Sequence, residues 1–411
     1  MIFCTYWFLI FLVIFLPLYR LIKKPALRLA LLLTFCAIFH THFAGAAGVL
    51  PIIVLGITTY CLALFADRFS KTSKNRMLAC GGGISLVVFA LVFYKYSHFI
   101  LESIFAYINL PLAQHLNREL ALALPATPPL AISFFAFEFI HYLYDVGHGK
   151  KPLTKPHEFA AFSIFFPSLV AGPIKRFDDF IPSLKRGLES KEESDLVAGS
   201  LRLAKGFAKK LFLADNFNQF IIEKQAFFDY LPLEQKWLIL LALAGRIYFD
   251  FSGYTDIALG IAMMLGIKLP ENFNAPYKAT SIRDFWQRWH MSLSLWIRDY
   301  VYIPLGGGQR GQLRKAGNAV LAFALCGLWH GASWNFLAWG LYHGAGLAAS
   351  TYYRKLPFNL GKPFALLFDS LPGSAWLCTF IFVLMGWLLF FYPVHTAWHM
   401  FTMLLGAKTH G

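Results

Sequence analysis

Leu325-Cys326-Gly327-Leu328-Trp329-His330-Gly331-Ala332-Ser333-Trp334-Asn335-Phe336 places a titratable imidazole inside an apolar run long enough to cross a bilayer. An ionisable group at membrane depth must be desolvated, so it faces a bundle interior or a wet cavity and is a functional candidate by default. The competing reading is a histidine that only hydrogen-bonds a neighbouring helix, since buried polar groups also join helices in membranes. The surrounding composition agrees with membrane depth. Hydrophobic residues make up 57% of the 411 and charged residues 14%, with 43 Phe, an apolar share above that of soluble globular chains. At ~20 apolar residues per span, the length accommodates about ten crossings plus shorter dips, so we expect an all-helical polytopic body with a single membrane domain.

The net charge of +15 is spread in short Lys and Arg runs between apolar segments and forms no basic domain. It reads as topogenic charge on cytoplasmic loops, at 68–76, 150–155, 175–191 and 310–315, and no nucleic-acid partner is expected. The six cysteines are scattered without CxxC spacing, which supports neither a disulfide framework nor a zinc site.

The first twenty residues lack a basic leader and a small-residue cleavage site, and their charges follow the apolar run at Arg20, Lys23, Lys24 and Arg28. They read as a retained span with its C-terminal end in the cytoplasm. Residues 29–47 then lead out, with His40 and His42 at the far interface, and 49–66 return to Arg68, Lys71, Lys74 and Arg76. Residues 77–94 lead out again, and 120–144, interrupted at Pro125 and Pro128-Pro129, come back to Lys150, Lys151 and Lys155. The apolar stretch 159–172, too short to cross and ending in Gly172-Pro173-Ile174-Lys175-Arg176, reads as a re-entrant dip. In 184–210, Leu201, Ala204 and Ala208, with Leu211 just beyond, recur at helical spacing, which suits an amphipathic helix along the interface.

The second half concentrates polar and aromatic residues in apolar context. Arg246, Asp250 and Asp256 stand at the end of a long apolar stretch, and 270–277 is a turn-rich break. Read as one helix, 285–300 puts Phe285, Trp289, Ser292 and Trp296 on one face and Trp286, His290 and Ile297 on an adjacent one. Its bland reading is an interfacial helix with tryptophans at headgroup level. Gly306-Gly307-Gly308 lacks the spacing and the preceding strand of a phosphate-cradling loop.

The runs YFDFSGYTDIALGIAMMLGIKLPENFNAPY (248–277), FWQRWHMSLSLWIRDYVYIPLGGG (285–308) and CGLWHGASWNFLAWGLYHG (326–344) resemble the membrane-bound O-acyltransferase family. They are most similar to its bacterial branch of alginate and peptidoglycan O-acetyltransferases, as are SLVAGPIKRFDDFIP (168–182) and FYKYSHF (93–99). The resemblance runs from about residue 90 onward. It implies an all-helical multi-pass body around a central funnel, in which an acyl group from a cytoplasmic donor meets its acceptor at a membrane-embedded histidine. His330 matches the near-invariant family histidine, and His290 the second histidine of the branch. Members of the branch usually continue past a segment like FYPVHTAWHMFTMLLGA with further spans, whereas this sequence stops at Gly411.

The chemistry can be reasoned from the residues. Acyl transfer to a hydroxyl needs a base, and imidazole, with an ordinary pKa near ~6.5, is available in its neutral form; burial disfavours the cation. The developing oxyanion needs donors, and a tryptophan, an asparagine or the backbone beside Gly331 can supply them. Trp329, Trp334, Asn335, Trp286, Arg288 and Asp250 are therefore the candidate substrate-binding residues beside His330 and His290. Continued as a helix, the chain sets Trp334 one turn from His330. His290 has three open roles: orienting a thioester, binding the acceptor, or relaying the acyl group as an acyl-imidazole. No HExxH-type spacing joins His290, His330, Asp250 and Asp256, so no metal is expected.

Three function classes follow. The first is an inner-membrane O-acetyltransferase that takes acetyl from a cytoplasmic donor, acetyl-CoA, and serves a polysaccharide acceptor through an extracytoplasmic acetyltransferase partner. The second is D-alanyl transfer to teichoic acid by the same family. The third is a transporter, which inverted repeats would support and none is found.

Overall fold

Among the described residues every regular element is helical, because a backbone in hydrocarbon must satisfy its hydrogen bonds within the segment. The computed structural model describes residues 2–69, 72–125, 128–189, 193–309, 311–352 and 362–407. Lys71, Lys191, Arg310 and Gly411 lie outside them. Three helices are long and apolar enough to cross a bilayer, Pro25–Phe69, Ser73–Tyr107 and Ser374–Phe391, and Tyr6–Leu21 is a shorter apolar one. The chain divides into two compact units, Met1–Gly206 with Tyr254–Pro270 and Phe207–Gly253 with Glu271–Gly411. The 32-residue helix Leu233–Met264 supplies residues to both.

The first unit packs on phenylalanines. Phe3, Phe8, Phe15, Phe39 and Phe166 are fully buried, and ring centroids 4.6–6.1 Å apart join Phe3, Phe8 and Phe39, the separations at which tilted aromatic pairs attract. Helix Pro25–Phe69 is two helical arms joined at Gly45, whose φ of 65° interrupts the helical path; a side chain there would be strained. The expected pair of spans thus breaks at Gly45. His42 stacks on Trp7 at 3.8 Å. His40 is buried beside Phe135.

One expectation is corrected. The span expected at 120–144 starts at Ile132, because residues up to Ala123 belong to a separate helix, Leu110–Ala123. Pro125 and Pro128-Pro129 cannot continue a helix, and Ala131 adopts φ 60° before the next one begins. The short stretch at 159–172 is an eight-residue helix, Pro156–Ser163, followed by a single turn at Phe166–Ser168. Its continuation brings Lys175 into the interior, where it pairs with buried Glu138 and lies over Phe162 and Phe180 at 5.3 and 5.6 Å. At its edge, Lys150 bonds Asp145 at 2.8 Å and Asp178 at 2.6 Å. Desolvation opposes the Lys150 ammonium, but the two carboxylates outweigh it and raise its pKa. Desolvation also opposes the Asp178 carboxylate, and the bonded Lys150 outweighs it and holds the pKa below the carboxylate range. Helix Glu193–Ala208 leaves Val197 and Leu201 exposed.

The second unit is built on a helical hairpin, Gln312–His330 and Trp334–Tyr352. Its helices touch backbone to backbone: a Cβ on Gly327 would lie 2.1 Å from the Phe336 carbonyl oxygen, and one on Gly340 would lie 2.2 Å from that of Phe323. Small residues allow this approach, a common device where lipid gives no hydrophobic drive between helices. Helix Ser374–Phe391 packs against the hairpin.

Candidate functional site

The hairpin turn puts His330 at the C-terminus of its helix, followed by Gly331 in extended conformation (φ −163°, ψ 149°). A Cβ at residue 331 would fall 2.1 Å from Phe336 Cε2, so glycine lets the returning helix press Phe336 towards the turn. Around the His330 imidazole stand Trp329 at 4.8 Å, Trp339 and Phe390 at 5.2 Å, and Phe336 at 6.4 Å between ring centroids. His330, Phe336 and Phe390 remain partly open to the surroundings, whereas Trp329 and Trp339 are buried.

His290 arrives from a different element. The helix expected over 285–300 is broken into two seven-residue helices, Ile282–Arg288 and Met291–Ile297, with His290 between them at φ 42°. The break has a local cause in the loop 270–277. The Asn272 carbonyl oxygen accepts from Met291 N–H at 3.0 Å. Asn272 Oδ1 accepts from Ser292 N–H at 3.2 Å and from Ser292 Oγ–H at 2.6 Å. A fully buried asparagine therefore caps the second helix from outside the segment. His290 is 2% exposed and packs edge-on against Phe251 at 4.6 Å. Its Nδ1 has no hydrogen-bond partner.

The indole of Trp329 spans the two histidines, 6.3 Å from His290 and 4.8 Å from His330. One buried imidazole and one partly open imidazole on either side of an indole can accept a proton from a hydroxyl and orient a carbonyl.

The other candidates separate into two groups. Trp286 is buried, its Nε1–H without a partner, and its ring meets Trp339 at 5.7 Å. Trp334 is not one helical turn from His330, because the helix stops there; it opens the next helix and is 48% exposed. Asn335 accepts from Ser333 Oγ–H and donates to the Leu389 carbonyl at 3.2 Å, so its amide is engaged in holding the turn to helix Ser374–Phe391. Arg288 is held by Asp284 at 2.7 Å. Asp250 pairs with Lys210 at 2.8 Å, and the same ammonium reaches Asp215 at 2.8 Å. Asp256 pairs with Arg202 at 3.1 Å.

Sequence reasoning missed Asn272, Phe336, Trp339, Phe390 and His343. His343 is fully buried with neither ring nitrogen bonded, and it lies 5.0 Å from Trp339 and 5.2 Å from Trp286. Its signal was present: a second histidine thirteen residues after His330 in the same apolar run. Phe390 carries no such signal, since it comes from a helix distant in the chain. A cavity of about 600 Å³ is walled by Trp286, Met291 and Cys326 and bears Arg283, Arg298 and Lys315; it reaches the site through Trp286 and Met291, and neither His290 nor His330 is in its lining.

Residues 150–392 match the profile of the MBOAT, membrane-bound O-acyltransferase family. The chain is 35% identical over 409 residues to the "Probable alginate O-acetylase" of Azotobacter vinelandii, covering 96% of this chain and 77% of that protein. It is 35% identical over 375 residues to the peptidoglycan O-acetyltransferase of Helicobacter pylori, covering 83% and 67%. To the teichoic acid D-alanyltransferase of Bacillus subtilis it is 30% identical over 276 residues, covering 64% and 68%. With more than half of its length matched by the family profile and most of it aligned with these relatives, the chain belongs to the membrane-bound O-acyltransferase family and is an acyltransferase.

Proposed function

We propose that residues 1–411 work as one acyltransferase domain of about ten spans around a central funnel, set in the cell inner membrane. It passes acetyl groups from cytoplasmic acetyl-CoA towards O-acetylation of an exported or cell-wall polysaccharide, alginate-type or peptidoglycan. The observation that carries this reading is the indole-bridged pair of histidines, one buried and one partly open. His330 is the general base: it takes the hydroxyl proton as the oxygen attacks the thioester carbonyl. The C–S bond breaks, the C–O bond forms, and the proton passes to the departing thiolate, so that an ester and a free thiol result. His290, buried beside the Trp329 indole, orients the carbonyl.

The cavity supports a donor that carries both phosphates and an apolar arm, since Arg283, Arg298 and Lys315 supply cations and Trp286 and Met291 an apolar wall. Acetyl is favoured over D-alanyl because the acetylase relatives align at 35% identity over 96% and 83% of this chain, against 30% over 64% for the D-alanyltransferase. The polymer lies outside the bilayer, so the attacking hydroxyl belongs to a separate extracytoplasmic transferase, which then acetylates the polysaccharide.

The test is reconstitution in vesicles with acetyl-CoA on the cytoplasmic side and polymer plus a serine-type transferase on the other. Polymer acetylation should require the added transferase and fall at least ~10²-fold in an inserted, folded His330→Ala variant. Near-normal transfer by His330→Ala would remove the base assignment, and efficient acetylation without the second protein would remove the partner.

A further inference from the structure

Acyl groups differ by methylenes, and the rings around His330 set how large a group can sit against it. Three aromatic side chains from outside the histidine's own helix form this wall, and they differ in freedom. Trp339 is 1% exposed and wedged between His330 and His343 at 5.2 and 5.0 Å. Phe336 is pinned on Gly331, where not even a Cβ would fit. Phe390 is different: it lies in the last turn of helix Ser374–Phe391, partly open, edge-on to His330 at 5.2 Å with planes 76° apart. It also closes the gap between Phe336 at 5.2 Å and Trp339 at 5.4 Å.

We propose that Phe390 is the residue that sets acyl length, its phenyl ring filling the space beside His330 where the third and later carbons of a longer acyl group would lie. The proposal rests on acyl transfer from a thioester at His330, with the same bonds broken and formed for each acyl group; only the space beside the carbonyl differs. Deleting a ring from a packed wall leaves room that the surroundings refill only in part, and an apolar hollow accepts an apolar guest. Acetyl leaves the hollow empty, while propionyl and butyryl fill it.

The experiment compares acyl transfer from acetyl-, propionyl- and butyryl-CoA in reconstituted wild type, Phe390→Ala, Phe390→Leu and Phe380→Ala. Phe380 lies on the same helix but packs on Tyr277 at 5.7 Å and Trp376 at 5.5 Å. The butyryl-to-acetyl rate ratio should rise at least ~10-fold in Phe390→Ala, on the scale that methylenes command in an apolar pocket, and less in Phe390→Leu. Phe380→Ala should keep the wild-type ratio. An unchanged ratio in Phe390→Ala, an equal rise in Phe380→Ala, or a wild type that already transfers butyryl as fast as acetyl would overturn the proposal while leaving acyl transfer intact. A wild type that transfers no acyl group from any of the three thioesters would overturn the acyl-CoA reading itself. If Phe390→Ala fails to insert, the ratio in Phe390→Leu decides.

Discussion

Replacing Asn272 with Ala tests whether the loop 270–277 builds the site. Asn272 Oδ1 accepts two hydrogen bonds from Ser292, at 3.2 and 2.6 Å, and both Ser292 groups sit in a residue only 5% exposed. Truncation removes two buried hydrogen bonds, at about 0.5–1.5 kcal/mol each, with the cap loss of about 0.5–2 kcal/mol contained in that sum, so the local cost is about 1–3 kcal/mol. That matches the roughly 1–3 kcal/mol cost of holding His290 at positive φ, so without these bonds the residue should relax away. A shift of ~1 Å in a positioned group costs ~10²-fold in rate. The paired variant is His290→Asn, since asparagine tolerates the left-handed conformation but has no imidazole. Acetyl-CoA turnover and thermal unfolding in detergent should therefore diverge. Asn272→Ala should lose both activity and stability, and His290→Asn activity alone. An active His290→Asn would make His290 a packing residue, and an active, stable Asn272→Ala would refute the argument that the asparagine sets the break.

Two predictions concern the first unit. Lys175→Met should destabilise by about 3–5 kcal/mol because it strands the buried Glu138 carboxylate, and adding Glu138→Leu should recover most of the loss; thermal unfolding of both variants checks this. The Lys150 pairs with Asp145 and Asp178 are partly exposed and worth under about 1 kcal/mol each. Asp178 is held below its ordinary range, so its share is present above about pH 4 and is lost as pH falls through the lowered value. Lys150 is raised, so its share is present below about pH 10.4 and is lost as pH rises through the higher value. Against Lys150→Met, the stability difference should be flat between these limits and shrink outside them.

What the sequence determined by itself is whatever composition and short-range pattern control. An apolar chain rich in Phe has to satisfy its backbone as helices, and the family resemblance rests on contiguous runs such as 326–344. Proline punctuation was visible too, although its consequence, a helix beginning at Ile132, was placed twelve residues too early. His330 and Trp329 were legible because an ionisable group and its neighbour in an apolar run ask for an explanation. Tertiary structure decided the rest, because the forces involved act between residues far apart in sequence. Helical periodicity assigns Trp334 to the His330 face, yet the helix ends at His330 and the returning helix, in close approach at Gly327 and Gly340, brings Phe336 and Trp339 there instead. Periodicity likewise runs one helix through His290, and only Asn272, eighteen residues upstream, breaks it. Polar side chains such as Asn335, Arg288 and Asp250 looked free for substrate, but a buried or half-buried polar group takes the nearest partner the fold offers, here Leu389, Asp284 and Lys210. Phe390 reaches His330 from a helix sixty residues away, and nothing in a string of apolar residues marks which phenylalanine will stand at the open side of a histidine.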